Sequence, residues 1–409
     1  MRNLPHIIRT LLLLIVLETQ MGPQLFLQQA SAGPIVQSRI VYYSGFIALL
    51  ITLVISAVYI RQIAKRVILR PEIAILALSS VITGLVLDES NLSIIYHAMQ
   101  FYATFLILVL VYEVDGEELL RKRLTQFFIF TVIAHAMSYF IPSMSIAQGG
   151  ELAGTYRGLS IHRGDLSFVL IVATAIIISS SIKPVFKTAL VLVSCFMILM
   201  SGSAQGVILL IVAVAVMAVL KMPHSIGRFR GFLIGAFVFL ICSIFILYPD
   251  AIDQLFGVFS RDRSFTGRDR IWSLAFYLLK DLPLFGFGLG SFQSALIPDD
   301  VLRQYGISGI VFGSTHSAYI EVLYCFGWLG AISFYALAAR QAINAFIVVF
   351  GIRRVRNTSA IALTFFCVVG GITAAEKIFL PGAGWMTFMI SIILLDGERN
   401  KRNLARISS

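Results

Sequence analysis

The chain has 409 residues, 58% of them hydrophobic and 13% charged, where an ordinary soluble domain carries roughly 25% charged residues. Its mean hydropathy of +0.89 excludes a conventional water-soluble domain and leaves an all-α, polytopic helical membrane protein. The net charge of +11 does not indicate nucleic acid, because Lys and Arg in membrane proteins largely encode orientation. Cys195, Cys242, Cys325 and Cys367 stand singly in apolar segments, and no CxxC pair suggests zinc or a disulfide framework.

In chain order, Met1 to Ala32 has a basic start, the apolar stretch TLLLLIVL and an Ala30-Ser31-Ala32 sequence that loosely imitates a secretory signal. The gap between the apolar stretch and that site contains Glu18 and Pro23, so a retained first membrane helix is expected. Candidate spans lie near 9–28, 40–60, 71–87, 94–114, 124–142, 165–182, 187–201, 205–220, 231–248, 317–340 (or on to 351), 359–376 and 382–396. That makes about twelve transmembrane helices in a single integral membrane domain, 1–409, and the spans near 187 and 382 are shorter than the ~20 residues of a perpendicular crossing.

Placing the N-terminus in the cytoplasm puts Arg61/Lys65/Arg66/Arg70, Arg121/Lys122/Arg123, Lys183/Lys187, Lys221/Arg228/Arg230, Arg353/Arg354/Arg356 and Arg399/Lys401/Arg402/Arg406 all inside. Every alternate connection is then basic, as the positive-inside rule requires, and both termini are cytoplasmic. The exceptions are informative. Of ten basic residues left facing outward, six fall in GTYRGLSIHRGD (154–165) and SRDRSFTGRDR (260–270). A solvated loop whose arginines pair with Asp262 and Asp269 is one reading. An outward anion site is the other, since the planar guanidinium donates paired hydrogen bonds to phosphate and keeps its charge.

Two outward loops are long enough to build such a site, 143–164 and the much larger 249–316, between the ninth and tenth spans. The larger loop contains a predicted amphipathic helix, RIWSLAFYLLKDL (270–282), and breaks at PLFGFGLGSF (283–292). Glycines 286, 288 and 290 imitate a phosphate loop, but no strand precedes them, and a tight turn against the bilayer is the expected use. Asp299-Asp300 is too little to build a metal site, so no metal and no cofactor are expected. Beyond the loop, STHSAYIEVLYCFGWLGAISF (314–334) puts His316 at the outer end of a span with Glu321 slightly deeper. An imidazole beside arginine-rich segments suits general acid–base work on a phosphate-linked substrate. Gly327 and Gly330 are placed where another helix can approach closely.

TGRDRIW (266–272), PLFGFGLGSF (283–292) and HSAYIEVLYCFGWLG (316–330) resemble the signature of the O-antigen ligase/polymerase superfamily, and the resemblance runs from about residue 154 onward. It implies a bacterial inner-membrane glycosyltransferase that takes a glycan from undecaprenyl diphosphate on the periplasmic side. On that resemblance His316 is the catalytic residue, and Arg268, Arg157, Arg163 and Arg270 bind the diphosphate. Glu321, Glu376 and His162 are supporting candidates. YRGLSIHRGDLSF (156–168) is closest in style to the exopolysaccharide polymerases. Lipid-A-core ligases commonly carry an arginine in the turn corresponding to SGSAQG (201–206), where this chain has Ala204 and Gln205.

The implied reaction is a metal-independent, inverting displacement at the donor sugar C1. The departing diphosphate is stabilised by arginines, and the acceptor hydroxyl is oriented or deprotonated by His316. The acceptor is a growing O-antigen or exopolysaccharide chain or, in the ligase alternative, lipid A core, and a chain-length regulator is a candidate partner. A lipid-linked oligosaccharide flippase is the remoter alternative. It calls for charges at mid-membrane depth and internal repeats, and the sequence offers neither.

The orientation is directly testable. A cysteine placed at Asp299 should react with a membrane-impermeant reagent added outside intact cells, and one at Lys122 should react only after permeabilisation; the reverse pattern would invert the scheme.

Overall fold

The computed structural model describes residues 4–21, 27–28, 36–37, 39–68, 70–86, 92–146, 154–160, 163–220, 229, 232–233, 236, 268–281, 284–288, 292, 297–307, 315, 317–349, 361, 363–364, 367 and 384–395. The apolar runs become helices: α1 (Leu4–Met21), α2 (Arg39–Val58), α3 (Ile60–Ile68), α4 (Pro71–Val86), α5 (Leu92–Leu110), α6 (Glu117–Ser138), the short α7 (Pro142–Ser145), α8 (Arg163–Ser179), α9 (Pro184–Met200) and α10 (Ala204–Leu220). Pro71 and Pro184 each occupy a first helical position, where the missing N–H costs nothing. The predicted loop helix appears as α11 (Arg268–Leu278), continued by a 3₁₀ turn over Leu279–Asp281. Three helices follow it: α12 (Asp299–Gln304), α13 (Ala318–Val349) and α14 (Gly384–Leu395). The expected spans 231–248 and 359–376 lie outside the described residues apart from isolated positions.

Several boundaries differ from expectation: α6 begins at Glu117 rather than near 124, so Arg121, Lys122 and Arg123 lie on the helix, and α9 begins at Pro184 rather than near 187. The first span was expected to reach residue 28, but α1 is described as far as Met21, and Leu27–Gln28 pairs antiparallel with Val36–Gln37. Between α2 and α3 the axis bends by 101°. Arg61 and Lys65 on α3 are exposed while Ile63 is buried, so this short amphipathic helix lies across the end of the bundle.

Among the described residues, the stretch Ala318–Ile347 is long and apolar enough to cross a membrane by length and composition, although it is broken at Gly327, and the bent α2–α3 pair is a second candidate. Gly164–Ser179, Pro184–Met200, Leu209–Leu220 and Gly384–Leu395 are apolar but shorter. α4 packs most extensively against α5 on one side and α13 on the other, which joins the two halves of the chain.

The polar contacts sort to two opposite ends. At one end Arg9 of α1 donates to Asp115 (Nε to Oδ2, 2.9 Å) and to the Tyr59 hydroxyl (3.0 Å). Arg66 pairs with Glu113 and lies 4.3 Å from the centre of the Tyr112 ring. Glu113 and Asp115 sit on a π turn, Val111–Asp115, which rotates both carboxylates toward the basic partners. Arg340 pairs with Glu72 at 3.2 Å at the start of α4. Tracing the chain from that end carries Thr83, Ser138 and Met197 to the opposite one.

The fold has one feature the sequence pattern does not announce: α13 reverses. Gly327 has φ 63° and ψ −165°, a conformation open only to glycine. The Tyr335 hydroxyl donates to the Tyr319 carbonyl at 2.8 Å, although residues this far apart in a straight helix are separated by about 24 Å. The segments 318–326 and 328–349 therefore form a helical hairpin, and only the second, about 33 Å long, can span a bilayer.

Reversal frees carbonyls at the end of the first arm and amides at the start of the second, and the glycine-rich loop satisfies them. Phe287 N–H donates to Tyr324 O (2.9 Å), Gly288 N–H to Cys325 O (3.0 Å), and Leu329 N–H to Leu284 O (3.3 Å). The Thr83 hydroxyl of α4 donates to Phe285 O at 2.7 Å, which pins the loop from the other side. Glycines 286 and 288 thus serve close backbone approach, in line with the expected tight turn. Gly330 faces Ser79 of α4, its expected use; Gly327 is the break.

A Cβ on Gly286 would sit 2.5 Å from Cys325 O and overlap the Gly327 nitrogen, at φ +78°, whereas one on Gly154 (φ +83°) would meet nothing within 4 Å. Gly286→Ala should therefore cost more than about 3 kcal/mol and Gly154→Ala only about 1–2 kcal/mol, read as thermal unfolding in detergent. Equal losses would mean that the loop does not seat against the break.

Candidate active site at one end of the bundle

The sequence singled out two arginine-rich segments, and their described parts, 154–160 with 163–165 and 268–270, belong to distinct units at the end of the bundle opposite the Arg9–Asp115 cluster. The first is the turn 154–160, between the short helix α7 and α8. Tyr156 bridges to Ile146, and Arg157 N–H donates to Ser145 O at 2.8 Å. The Tyr156 phenol donates to the His135 main-chain carbonyl and lies 3.8 Å from the Met197 sulfur of α9. Leu159 N–H donates to His135 Nδ1 at 3.1 Å. These bonds lock the turn onto the ends of α6 and α9.

Arg157 is the buried cation of this turn, only 4% exposed. Nη1 donates to Ser160 O at 3.2 Å, while Nε has no partner. Among the described residues no carboxylate pairs with it. Burial pulls its pKa below the usual arginine value, though a guanidinium still carries its proton. A buried, unneutralised guanidinium is costly to desolvate, and an anion within its reach would offset that cost.

The second unit packs on the first arm of α13. Ile271, Leu274, Ala275, Phe292, Ile297, Leu302, Ile307 and Tyr324 form a small apolar core of their own. Trp272 Nε1 donates to Thr315 O at 2.9 Å, and Thr315 N–H donates to Glu321 Oε2 at 2.6 Å. Glu321 is 3% exposed, and Thr315 Oγ1 donates to Ser317 O at 2.9 Å. Thr315 and Ser317, the two neighbours of His316, are thereby held on both sides.

The candidate residues fare differently. His316, His162 and Glu376 lie outside the described residues. Arg268 opens α11 and Arg163 opens α8, and their side chains are likewise outside the description. Arg270 is exposed, and its Nη1 donates to Gly306 O at 3.0 Å, tying α11 to the turn after α12. Arg303 is neutralised by Asp299 one helical turn away (2.9 Å), as a solvated-loop reading would have it. Sequence reasoning passed over His135, Trp272 and Thr315. The available signal for His135 was an imidazole inside an apolar span, which is rarely idle. Among the described residues no group of three or more His, Cys, Asp or Glu is placed to hold a metal ion.

The turn 201–206 closes the same end. Ser167 and Ser201 hydroxyls are 3.0 Å apart, and Gly206 N–H donates to Ser203 Oγ at 3.1 Å. A Cβ on Gly206 would lie 2.5 Å from that of Ser167, so α8 and α10 meet backbone to side chain there.

Residues 189–335 match the family model described as O-antigen ligase. The matched stretch runs from α9 into the second arm of α13 and includes Arg268, Arg270, His316 and Glu321; Arg157, Arg163, His162 and Glu376 fall outside it. The match supports the O-antigen ligase/polymerase superfamily and, with it, a membrane protein of glycan transfer. No curated relative matches the chain.

Glu321 is the group that fixes Thr315, so its role depends on an acceptor oxygen rather than on charge. Glu321→Gln should retain most glycan transfer. Glu321→Leu leaves a buried N–H unpaired, a loss of about 1–3 kcal/mol, and should reduce transfer at least tenfold. Equal behaviour of the two variants in a transfer assay on matched, folded protein would remove the positioning role.

Proposed function

We propose that this chain transfers a glycan from undecaprenyl diphosphate to an acceptor hydroxyl at the periplasmic face of the bacterial inner membrane, polymerising O-antigen or exopolysaccharide repeat units. The observation that carries the reading is Arg157, a buried guanidinium with an unpartnered Nε and no acidic neighbour among the described residues. A diphosphate offers the dense, planar-accessible negative charge that such a group lacks. Arg163, Arg268 and Arg270 complete the proposed diphosphate contacts; Arg270 also ties the loop through Gly306.

In this mechanism the acceptor oxygen attacks the donor sugar C1 from the face opposite the diphosphate. The C1–O bond to phosphate breaks, and the anomeric configuration inverts. The developing charge on the leaving oxygen is stabilised by guanidinium groups already in place, so no metal is required. His316 takes the proton from the acceptor hydroxyl. Its fixed neighbours, Thr315 and Ser317, are what a general base needs to meet an acceptor at one geometry. Glycans on both substrates extend away from the membrane, which suits a site at the outer end of the bundle.

The O-antigen ligase description of the matched family favours a second reading, with lipid A core as acceptor. Ala204 and Gln205, where ligases commonly have an arginine, favour the first.

The test uses purified protein with an undecaprenyl-diphosphate-linked repeat unit as donor, excess chelator throughout, and either repeat-unit glycan or lipid A core as acceptor. Transfer should persist in chelator. His316→Ala should lower the rate by about 10²–10⁴ while donor binding is retained. Arg157→Lys should weaken donor binding despite keeping the charge, because one ammonium cannot reproduce a bidentate grip. Undiminished transfer in both folded variants would overturn the reading, and the acceptor that is elongated decides between polymerase and ligase.

A further inference from the structure

The imidazole of His135 is fully buried near the outer end of α6, where a span of this kind ordinarily carries apolar side chains. It receives the Arg157 turn from both sides. Its main-chain carbonyl accepts the Tyr156 phenol, together with the Ser138 hydroxyl at 2.7 Å, and Nδ1 accepts Leu159 N–H at 3.1 Å. Tyr156 and Leu159 bracket Arg157, so one residue of α6 determines the path of the chain on either side of the buried guanidinium. The approach is close: Gly158 has φ +57°, and a Cβ there would lie 2.6 Å from His135 Nδ1. Because Nδ1 accepts, the neutral ring carries its proton on Nε2, and that buried donor has no partner among the described residues.

We propose that His135 is a positioning residue of the donor site: its Nδ1 and its main-chain carbonyl hold the 156–159 turn so that the Arg157 guanidinium is presented to the lipid-linked diphosphate. The proposal rests on the reading of Arg157 as a diphosphate ligand. It goes beyond that reading by assigning a role to a residue on α6, outside both arginine-rich loops and outside the stretch matched to the O-antigen ligase model. A histidine serves here because an acceptor nitrogen is needed at the δ position, buried and aimed at a backbone amide. An aliphatic side chain of similar size would leave Leu159 N–H unpaired and release the turn.

The test separates geometry from bulk. Asparagine places its side-chain oxygen close to the histidine δ position, whereas glutamine places its own near the ε position. With undecaprenyl-diphosphate-linked glycan as the probe, His135→Gln and His135→Leu should raise donor KM by roughly tenfold, the scale of one lost buried hydrogen bond, with kcat within about twofold. His135→Asn should recover most of the affinity. His135→Gln combined with Arg157→Ala should be no worse than Arg157→Ala alone, since both act through the same contact. If Asn and Gln behave alike, or if the two losses multiply, the positioning role is overturned even where Arg157→Ala has abolished donor binding. If Arg157→Ala leaves donor KM unchanged, the diphosphate reading fails first and takes this proposal with it.

Discussion

The organisation of the outer end depends on the reversal at Gly327 and the way it is closed. A helix interrupted in an apolar setting exposes carbonyls on one side of the break and amides on the other, and unpaired backbone groups are not tolerated there. The loop 284–288 supplies both kinds of partner from a single tight turn, while Thr83 of α4 holds it from behind. Because the loop also leads to α11 and α12, closing the break fixes the unit they build on the first arm of α13. Thr315 and Glu321 meet on that arm. Backbone satisfaction and placement of the candidate site are one requirement here.

The treatment of arginine differs from residue to residue. Arg9, Arg66 and Arg340 each lie against a carboxylate, and Arg66 adds an aromatic face. Ion pairs of this kind join α1, α3 and α4 to the π turn and to the far end of α13. Burying a charge is tolerable there because its counter-charge is built in. Arg157 is as deeply buried but is held by main-chain bonds to its own turn, with a carbonyl as its sole recorded partner among the described residues. The contrast is between residues rather than ends, since Arg303, in the same unit as Leu302, is paired with Asp299.

Much of this was legible in the sequence. Long apolar runs gave α4 nearly to the residue and α9 to within three, and the amphipathic pattern over 270–282 gave α11 with its 3₁₀ continuation to within about two. The reversal was not legible, because Gly327 sits in an apolar run that reads as continuous helix and its partners lie far away in sequence at 284–288. The roles of individual arginines were not legible either. Arg157, Arg270 and Arg303 look alike in composition, and only tertiary contacts distinguish a buried guanidinium from one bonded to Gly306 O and one paired with Asp299. His135 was overlooked for the same reason: its acceptor function exists only when Leu159 returns to it.

The hairpin in α13 also constrains how the protein is made. The loop 284–288 is synthesised before either arm it closes, and the whole of 289–323 must emerge before Tyr324 and Cys325 can accept its amides. During that interval Thr83 of the already completed α4 is there to meet the glycine-rich stretch. A chain halted before Leu329 would have the apolar core of the unit on the first arm but not the last hydrogen bond that seals it.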